Sequence, residues 1–431
     1  MKWRRSLVII AMCWTPLVLF GQAAAPVRLS LTDAEQIALR NNPNISVARL
    51  LALESREQTR QARSALLPLA YSNLTAVGAE AGSRIAAGGL NSPVLYSRSA
   101  YGVTVTQLIT DFGQTQNIVA SAKLRSQAEE QTMHATVNQI KLAVDREFYR
   151  SLSAQAVVDV ARQTVASRKM LADQVAALAR NKLKSDLDLS FANTNLEEAR
   201  LLQLDAQNQF ALTVANLSEL LGYQKPPQIS LIDDPNAKPS PPAEITSLLA
   251  TAMAQRPEIH AEELLVRSAE KLQSAAREQY LPSIRAMGLV GQAPVRDEHI
   301  PSWYGAAGIN IEVPIFNGFR IQSQVREAKL RDEAERERLV GLQNLISRDV
   351  RQSWLEEKTA YQRLGVTAAL LQQAKLGLDL AQTRYKIGLG SIVEVSQAQL
   401  QATQAEIAKA RARYDCLLAE AITRFTTGTI N

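Results

Sequence analysis

The residues best equipped for covalent or metal chemistry are few and far apart. The three histidines, His134, His260 and His299, and the two cysteines, Cys13 and Cys416, share no metal-ligand spacing. No phosphate-cradling glycine loop, nucleophile elbow or zinc-binding helix motif occurs, and neighbouring carboxylates such as Glu129 and Glu130 read as solvated helix faces. The pattern argues against an enzyme and implies no cofactor and no metal. What remains is the chemistry of surfaces: apolar faces, capped turns and small-residue seams.

The elements that must build those surfaces are signalled by composition. The chain has 431 residues, 46% hydrophobic and 21% charged, which fits a folded protein of two to three average domains. Only 5% are aromatic, so the apolar content points to Ala, Leu and Val seams between helices rather than a ring-rich core. Residues 1–25 read as a secretory signal, with basic Lys2, Arg4 and Arg5, an apolar stretch from Leu7 to Phe20, and small residues up to Ala25. Cleavage after Ala23 or Ala24 avoids Pro26 at the scissile bond, and Met12 before Cys13 argues against lipid attachment there. Removal of the signal lowers the net charge from +6 to +3 (6 − 3) and leaves Cys416 as the sole cysteine, so no internal disulfide forms. Without a basic block or aromatic-interleaved patch, nucleic acid is a poor candidate partner.

An internal repeat organises the exported chain. Residues 38–45 around Pro43 resemble residues 252–259 around Pro257, and both following helices end in Leu-Pro, at Leu67-Pro68 and Leu281-Pro282. The offsets agree, since 257 − 43 and 282 − 68 are both 214. Further on, Ala122-Lys123-Leu124-Arg125 recurs as Ala328-Lys329-Leu330-Arg331, and the offset of 206 (328 − 122) still holds at Gly222 and Gly428. The organisation is therefore a first structural repeat at 26–222, a proline-rich linker at 223–243 and a second repeat at 244–431.

Each repeat opens with helices, the first signalled by a capping box from Thr32 to Glu35. The period then changes to two. Tyr101, Val103 and Val105 alternate with Gly102, Thr104 and Thr106, and Trp303, Gly305, Ala307, Ile309, Ile311 and Val313 alternate with small or polar residues. Ile284, Ala286, Gly288 and Val290 form one face after Pro282, whereas residues 69–77 alternate less cleanly. These segments give a β-hairpin at about 68–110 and another at about 282–315, joined within each pair by the exposed loops 79–99 and 291–302. Segments of about ten residues with one apolar face match outer-membrane barrel strands.

Long helical hairpins follow, at about 112–222 and about 319–428. No glycine or proline occurs from Gln114 to Leu221, and half of that run as helix would reach roughly 80 Å. Heptad-like spacing appears at Val137, Ile140, Val144, Phe148 and Leu152, and at Leu364, Ala368, Leu371, Ala374, Leu378, Ala381 and Tyr385. Val395, Ala398, Ala402, Ala405, Ala412, Cys416 and Ala419 form a small-residue seam in which Cys416 is a small buried hydrophobe. Both runs break at equivalent places, Lys182 to Asp186 and Gly388 to Ile392. There Gly388 and Gly390 allow positive φ, and Ser185 and Ser391 can cap the returning helices.

Four strands fall short of the eight in the smallest membrane barrels, and lipid does not tolerate open strand edges, so several copies must share one barrel. The fold class is thus an internally duplicated α+β membrane protein. Long antiparallel helical hairpins build a tunnel, and four transmembrane strands per chain contribute to a shared barrel. The competing reading is a periplasmic coiled-coil scaffold without a pore, which would extract without detergent.

The chain resembles the TolC family of outer-membrane efflux channels. The resemblance rests on the duplicated Asn-Pro and Arg-Pro helix starts, the Leu-Pro strand entries, Val313-Pro314-Ile315-Phe316-Asn317-Gly318, Tyr385-Lys386-Ile387-Gly388, Ser391 to Val395, and Ala398-Gln399. It implies a homotrimer with a twelve-stranded barrel in outer-membrane lipid and a helical tunnel in the periplasm. It also implies a tripartite efflux or secretion system with a periplasmic adaptor (membrane-fusion) protein and an inner-membrane pump. By the same resemblance, Asp188, Tyr385, Glu394 and Gln397 stand at the periplasmic aperture; either a Tyr385–Asp188 hydrogen bond helps to hold it shut, or Asp188 is a solvated first-turn helix residue and Tyr385 packs in the seam. Gln397 replaces an acidic residue, and Gly390 stands where some members carry a linking arginine. Adaptor docking falls at the hairpin tips: Leu183, Lys184 and Ser185 on one, Gly388, Leu389, Gly390 and Ser391 on the other.

Overall fold

The computed structural model describes residues 27–78, 84–87, 90–94, 98–223, 228–234, 237–293 and 301–430. The signal segment with Cys13, His299, the linker residues Pro226, Pro227 and Pro235, and parts of the loops 79–99 and 291–302 lie outside them.

The chain begins with β1 (Val27–Leu29), α1 (Leu31–Asn41) and α2 (Pro43–Ser64). The capping box that starts α1 is not Thr32–Glu35. Ser30 is the N-cap, its Oγ accepting from the Asp33 amide while the Asp33 carboxylate accepts from the Ser30 amide. Ser30 and Asp33 have the same three-residue spacing two positions earlier, and that start frees Glu35 to face inward. Asn42 caps α2 through Asn44 N–H at 2.9 Å and donates from Nδ2 to the Leu220 carbonyl at 2.9 Å, which ties the helix start to a later helix end.

Strand β2 (Leu69–Val77) follows, then β3 (Arg84–Ala87), β4 (Leu90–Val94) and β5 (Arg98–Thr110). β3 and β4 pair as a short antiparallel hairpin within the segment expected to be loop only. Helices α3 (Gln114–Arg180) and α4 (Asp186–Leu220) make the first long hairpin, and β6 (Ile229–Leu231) pairs in parallel with β1. The second half supplies α5 (Ile245–Gln255), α6 (Pro257–Glu278), β7 (Ser283–Gln292), β8 (Trp303–Glu312), α7 (Arg320–Lys386) and α8 (Ile392–Thr426). Helix lengths match between halves: 11 residues for α1 and α5, 22 for α2 and α6, 67 for α3 and α7, 35 for α4 and α8.

At 1.5 Å per residue, α3 and α7 are rods of roughly 100 Å. Their cores are seams. Val144, Phe148 and Leu152 of α3 pack with Leu217, Leu221, Leu417 and Ala421, and the β1–β6 pair adds Leu29 and Leu231 to that cluster. On α8 the small-residue seam is buried at Val395, Ala402, Ala405, Ala412, Cys416 and Ala419, close to the expected stripe. Cys416 is free, packs between Ala360 and Ala419, and burial pushes its thiol up to about 11. Away from the seams, Met170, Leu201, Leu204, Leu376 and Leu380 stand exposed on the single chain.

The two equivalent glycines close both halves in the same way. Gly222 and Gly428 each adopt φ +75° after α4 and α8, as left-handed helix stops. A Cβ on Gly222 would lie 2.8 Å from the Asn41 carbonyl oxygen, and one on Gly428 would lie 2.9 Å from the Gln255 carbonyl carbon and oxygen. Only glycine lets the ends of α1 and α5 dock this closely.

Candidate membrane face and hairpin-tip site

β2, β5, β7 and β8 form one four-stranded antiparallel sheet in the order β2-β5-β7-β8. Directly paired residues of antiparallel strands share a face. Tyr101, Val103 and Val105 of β5 pair with Gln292, Val290 and Gly288 of β7, which pair in turn with Trp303, Gly305 and Ala307 of β8. Ile284 and Ala286 pair with Ile311 and Ile309, and Leu74 of β2 pairs with Tyr101. The register therefore merges the apolar sides of separate strands into one face. Leu74 is 79% exposed, Trp303 69%, Ile309 67% and Ile311 61%, so this face is uncovered in the single chain. The opposite face carries Asn73, Thr75, Thr104, Thr106, Arg285, Asn310 and Glu312, together with Tyr71, Met287 and Leu289. β2 and β8 are the outermost strands, each with a pairing partner on one side only among the described residues. Among those residues no helix is long and apolar enough to cross a membrane.

The strand-to-helix junctions present aromatic rings at one end of this sheet. Phe112 and Gly113 before α3 have φ of 56° and 110°, and Gly318 and Phe319 before α7 have φ of 61° and 64°. Glycine and phenylalanine exchange places between the two halves, so each junction holds one exposed phenylalanine in the left-handed region. Phe316 and Phe319 stack edge to face at 5.8 Å, beside a fully open Ile315. At the other end, Tyr101 and Trp303 lie on the apolar face in one cross-strand row, where the Tyr101 hydroxyl donates to Gln292.

At the far end of the long hairpins the two tips are built alike but not identically. Lys182 (φ 58°) takes the left-handed position that Gly388 (φ 81°) takes in the second tip. Ser185 caps α4 by accepting from the Asp188 amide at 3.1 Å, and Ser391 caps α8 by accepting from the Glu394 amide at 3.2 Å. Leu183 and Leu389 are each 68% exposed and project from equivalent places. Gly390 does not use the positive φ expected of it. Its glycine character reflects crowding: a Cβ there would meet Glu394 Oε2 at 3.1 Å and Arg384 Cβ at 3.2 Å.

The residues expected at the aperture meet only in part. Tyr385 is buried, and its hydroxyl has no hydrogen-bond partner among the described residues. Asp188 is nearby, but its carboxylate accepts from the Ser185 hydroxyl at 2.8 Å and the Ser185 amide at 3.1 Å. Within one chain the expected Tyr385–Asp188 hydrogen bond is thus absent, because the helix cap has already engaged the carboxylate. Burial, and secondly the Asp188 charge, pushes the Tyr385 hydroxyl above the ordinary tyrosine range. The ring is instead covered by Lys184, whose Nζ sits 3.9 Å from the ring centroid. Glu394 and Gln397 are exposed one turn apart on α8, and Arg384 Nε lies 3.7 Å from the Glu394 carboxylate. Arg384 also donates to the Leu389 carbonyl at 3.1 Å. Sequence reading missed Arg384 and the lysine–tyrosine stack. The available signal was the neighbouring Tyr385 and the glycine pair that folds the tip back on it.

The outer membrane efflux protein family matches residues 35–223 and 248–429. Among curated relatives, the probable efflux pump outer membrane protein TtgC of Pseudomonas putida is 24% identical over 381 residues, 86% of this chain and 77% of that protein. Outer membrane protein TolC of Escherichia coli is 22% identical over 432 residues, 93% of this chain and 83% of the relative. Among solved structures, the outer membrane protein VceC of Vibrio cholerae superposes with a TM-score of 0.79 at 18% identity, over 92% of this chain and 96% of that one, a likeness of fold. With most of its length matched in both halves, the chain is an outer-membrane protein and belongs to the outer membrane efflux protein family.

Proposed function

We propose that three copies of this chain form the passive exit duct of a tripartite efflux or secretion system. In this reading the four-stranded sheets join edge to edge into one twelve-stranded barrel, and the helical hairpins continue it as a tunnel through the periplasm. The observation that carries the reading is a sheet with one uncovered apolar face and, among the described residues, two unpaired edges. In lipid every strand edge must be paired, and an apolar face must meet hydrocarbon. Four strands alternate in direction, so β8 of one copy meets β2 of the next in antiparallel sense, and the ring closes without a mismatch. Ten residues at about 3.4 Å each, tilted by about 40°, span roughly 26 Å, the height of a barrel's apolar band. The rings at both ends of the sheet fit the two interfacial belts.

After loss of residues 1–25, the repeats 26–222 and 244–431 each supply one hairpin of strands and one of helices, joined by the linker 223–243. Asp188, Tyr385, Glu394 and Gln397 line the periplasmic aperture in the assembled tunnel. Leu183, Lys184, Ser185, Gly388, Leu389, Gly390 and Ser391 form the tips on which a periplasmic adaptor docks, and the inner-membrane pump supplies the energy. No bond chemistry is needed.

The test is fractionation followed by reconstitution. The duct reading expects the protein with outer membranes, a trimer mass in detergent, and discrete single-channel currents in planar bilayers. Release into the soluble fraction as a monomer without currents would instead support a coiled-coil scaffold.

A further inference from the structure

A half-open pocket lies within one chain, between α3 and the tip of the α7–α8 hairpin, with a volume of about 280 Å³. Its walls are apolar at Met170, Leu171, Leu178 and Val395. Into it face two side chains more than nine-tenths buried whose polar atoms have no partner among the described residues: the Tyr385 hydroxyl and the Gln399 amide, the latter at both its oxygen and its nitrogen. Buried polar atoms in folded proteins almost always meet a partner. The pocket's charged lining is entirely cationic, Lys184 and Lys386, and neither lysine forms an ion pair among the described residues. No carboxylate lines it.

From this combination we infer a binding site for a small amphipathic monoanion, a medium-chain carboxylate being the simplest case. The carboxylate would take the lysine ammonium groups, the tyrosine hydroxyl and the glutamine amide, and the alkyl chain would lie along the methionine, leucine and valine walls. The volume falls just below the usual range of ligand pockets, about 300–1,000 Å³, which favours a molecule smaller than a typical drug. Lys184 and Lys386 at its rim favour an anion over a neutral molecule, and an inorganic anion would leave the apolar wall uncovered. The site lies within one chain, so it stands whether or not the chain forms a duct.

The test is calorimetric titration of sodium octanoate into the full-length protein in lipid nanodiscs, with empty nanodiscs subtracted. The expected result is saturable binding at one site per chain, weakened at least tenfold in both Lys184→Gln and Gln399→Leu. Gln399→Leu replaces an unpartnered amide by an apolar side chain of similar size, so folding should persist, and helical circular dichroism checks it. Absence of saturable binding would overturn the inference, leaving water to satisfy the buried groups. Equal affinity for 1-octanol, equal affinity for chloride alone, or unchanged affinity in a folded Gln399→Leu variant would overturn it as well.

Discussion

Alanine placed at Gly222 and Gly428 probes how the short helices lock onto the ends of the long ones. Both glycines hold φ +75°, and for an L-residue the left-handed region costs roughly 1–2 kcal/mol. The added methyl carbon would also sit 2.8 Å from the Asn41 carbonyl oxygen at the first site and 2.9 Å from the Gln255 carbonyl at the second. Neither neighbour is a flexible side-chain tip, so the backbone of α1 or α5 must shift, an overpacking cost of roughly 1–3 kcal/mol. The sum is about 2–5 kcal/mol for each variant. Gly388 is the internal control: its φ is +81°, but nothing lies within 4 Å of an added Cβ. Gly388→Ala should therefore cost only the conformational part, about 1–2 kcal/mol. Lys182 carries the same left-handed strain in the first tip, so Lys182→Gly should regain up to about 1 kcal/mol. Urea unfolding of the detergent-solubilised protein, followed by helical circular dichroism, measures all four. If Gly222→Ala and Gly428→Ala prove no more costly than Gly388→Ala, the close docking of α1 and α5 is refuted.

Burial, then a hydrogen bond to Glu35 and the charge of that carboxyl, raises the Asp145 carboxyl to about 8, against the opposing influence of Arg424 and Lys141. An unfolded aspartate ionises near 3.9, so folding loses stability as pH climbs from about 4 to 8, by at most about 4 kcal/mol at pH 7. Asp145→Asn should be more stable than wild type at pH 7 and flatten the stability profile between pH 5 and 8; parallel profiles would refute this. Tyr385→Phe removes a hydroxyl that has no hydrogen-bond partner among the described residues and should leave stability unchanged or slightly raised. Asp188→Ala removes a capping carboxylate and should cost about 1 kcal/mol, so equal losses in both variants would point to a direct Tyr385–Asp188 bond. Gln397→Glu should strengthen block of the channel by trivalent cations added from the periplasmic side. In the proposed trimer it would double the aperture carboxylates from three to six, and unchanged block would remove Glu394 and Gln397 from the conducting path.

Much of this architecture is legible in the residues because backbone geometry leaves little choice of residue type. Proline at 43 and 257 opens a helix, proline at 68 and 282 ends one, and glycine at 222 and 428 permits a left-handed stop; the equal element lengths follow from those marks. The strands are legible because their apolar residues alternate along one face, and β2 is the weakest case because Leu69, Tyr71 and Val77 share a face with Asn73 and Thr75. The start of α1 was misplaced because Ser30–Asp33 and Thr32–Glu35 offer overlapping caps, and only the inward turn of Glu35 toward Asp145 decides between them. The tip contacts were hidden for a different reason. Lys184 reaches Tyr385 across some two hundred residues of chain, and Gly390 is demanded by the proximity of Arg384 and Glu394 rather than by its own dihedral angles. Such contacts depend on how two hairpins lie side by side, which no local periodicity records.

The central claim is that separate copies complete one barrel by pairing β8 of one chain with β2 of the next. Its most direct measurement is a cysteine scan in Cys416→Ser protein, pairing single cysteines along Asn73–Ala76 in β2 with single cysteines along Gly305–Gly308 in β8, oxidised in intact cells. The account predicts that pairs in register yield covalent dimers and then trimers, with no larger species. Crosslinking confined to monomers, or an open ladder extending beyond three chains, would contradict it.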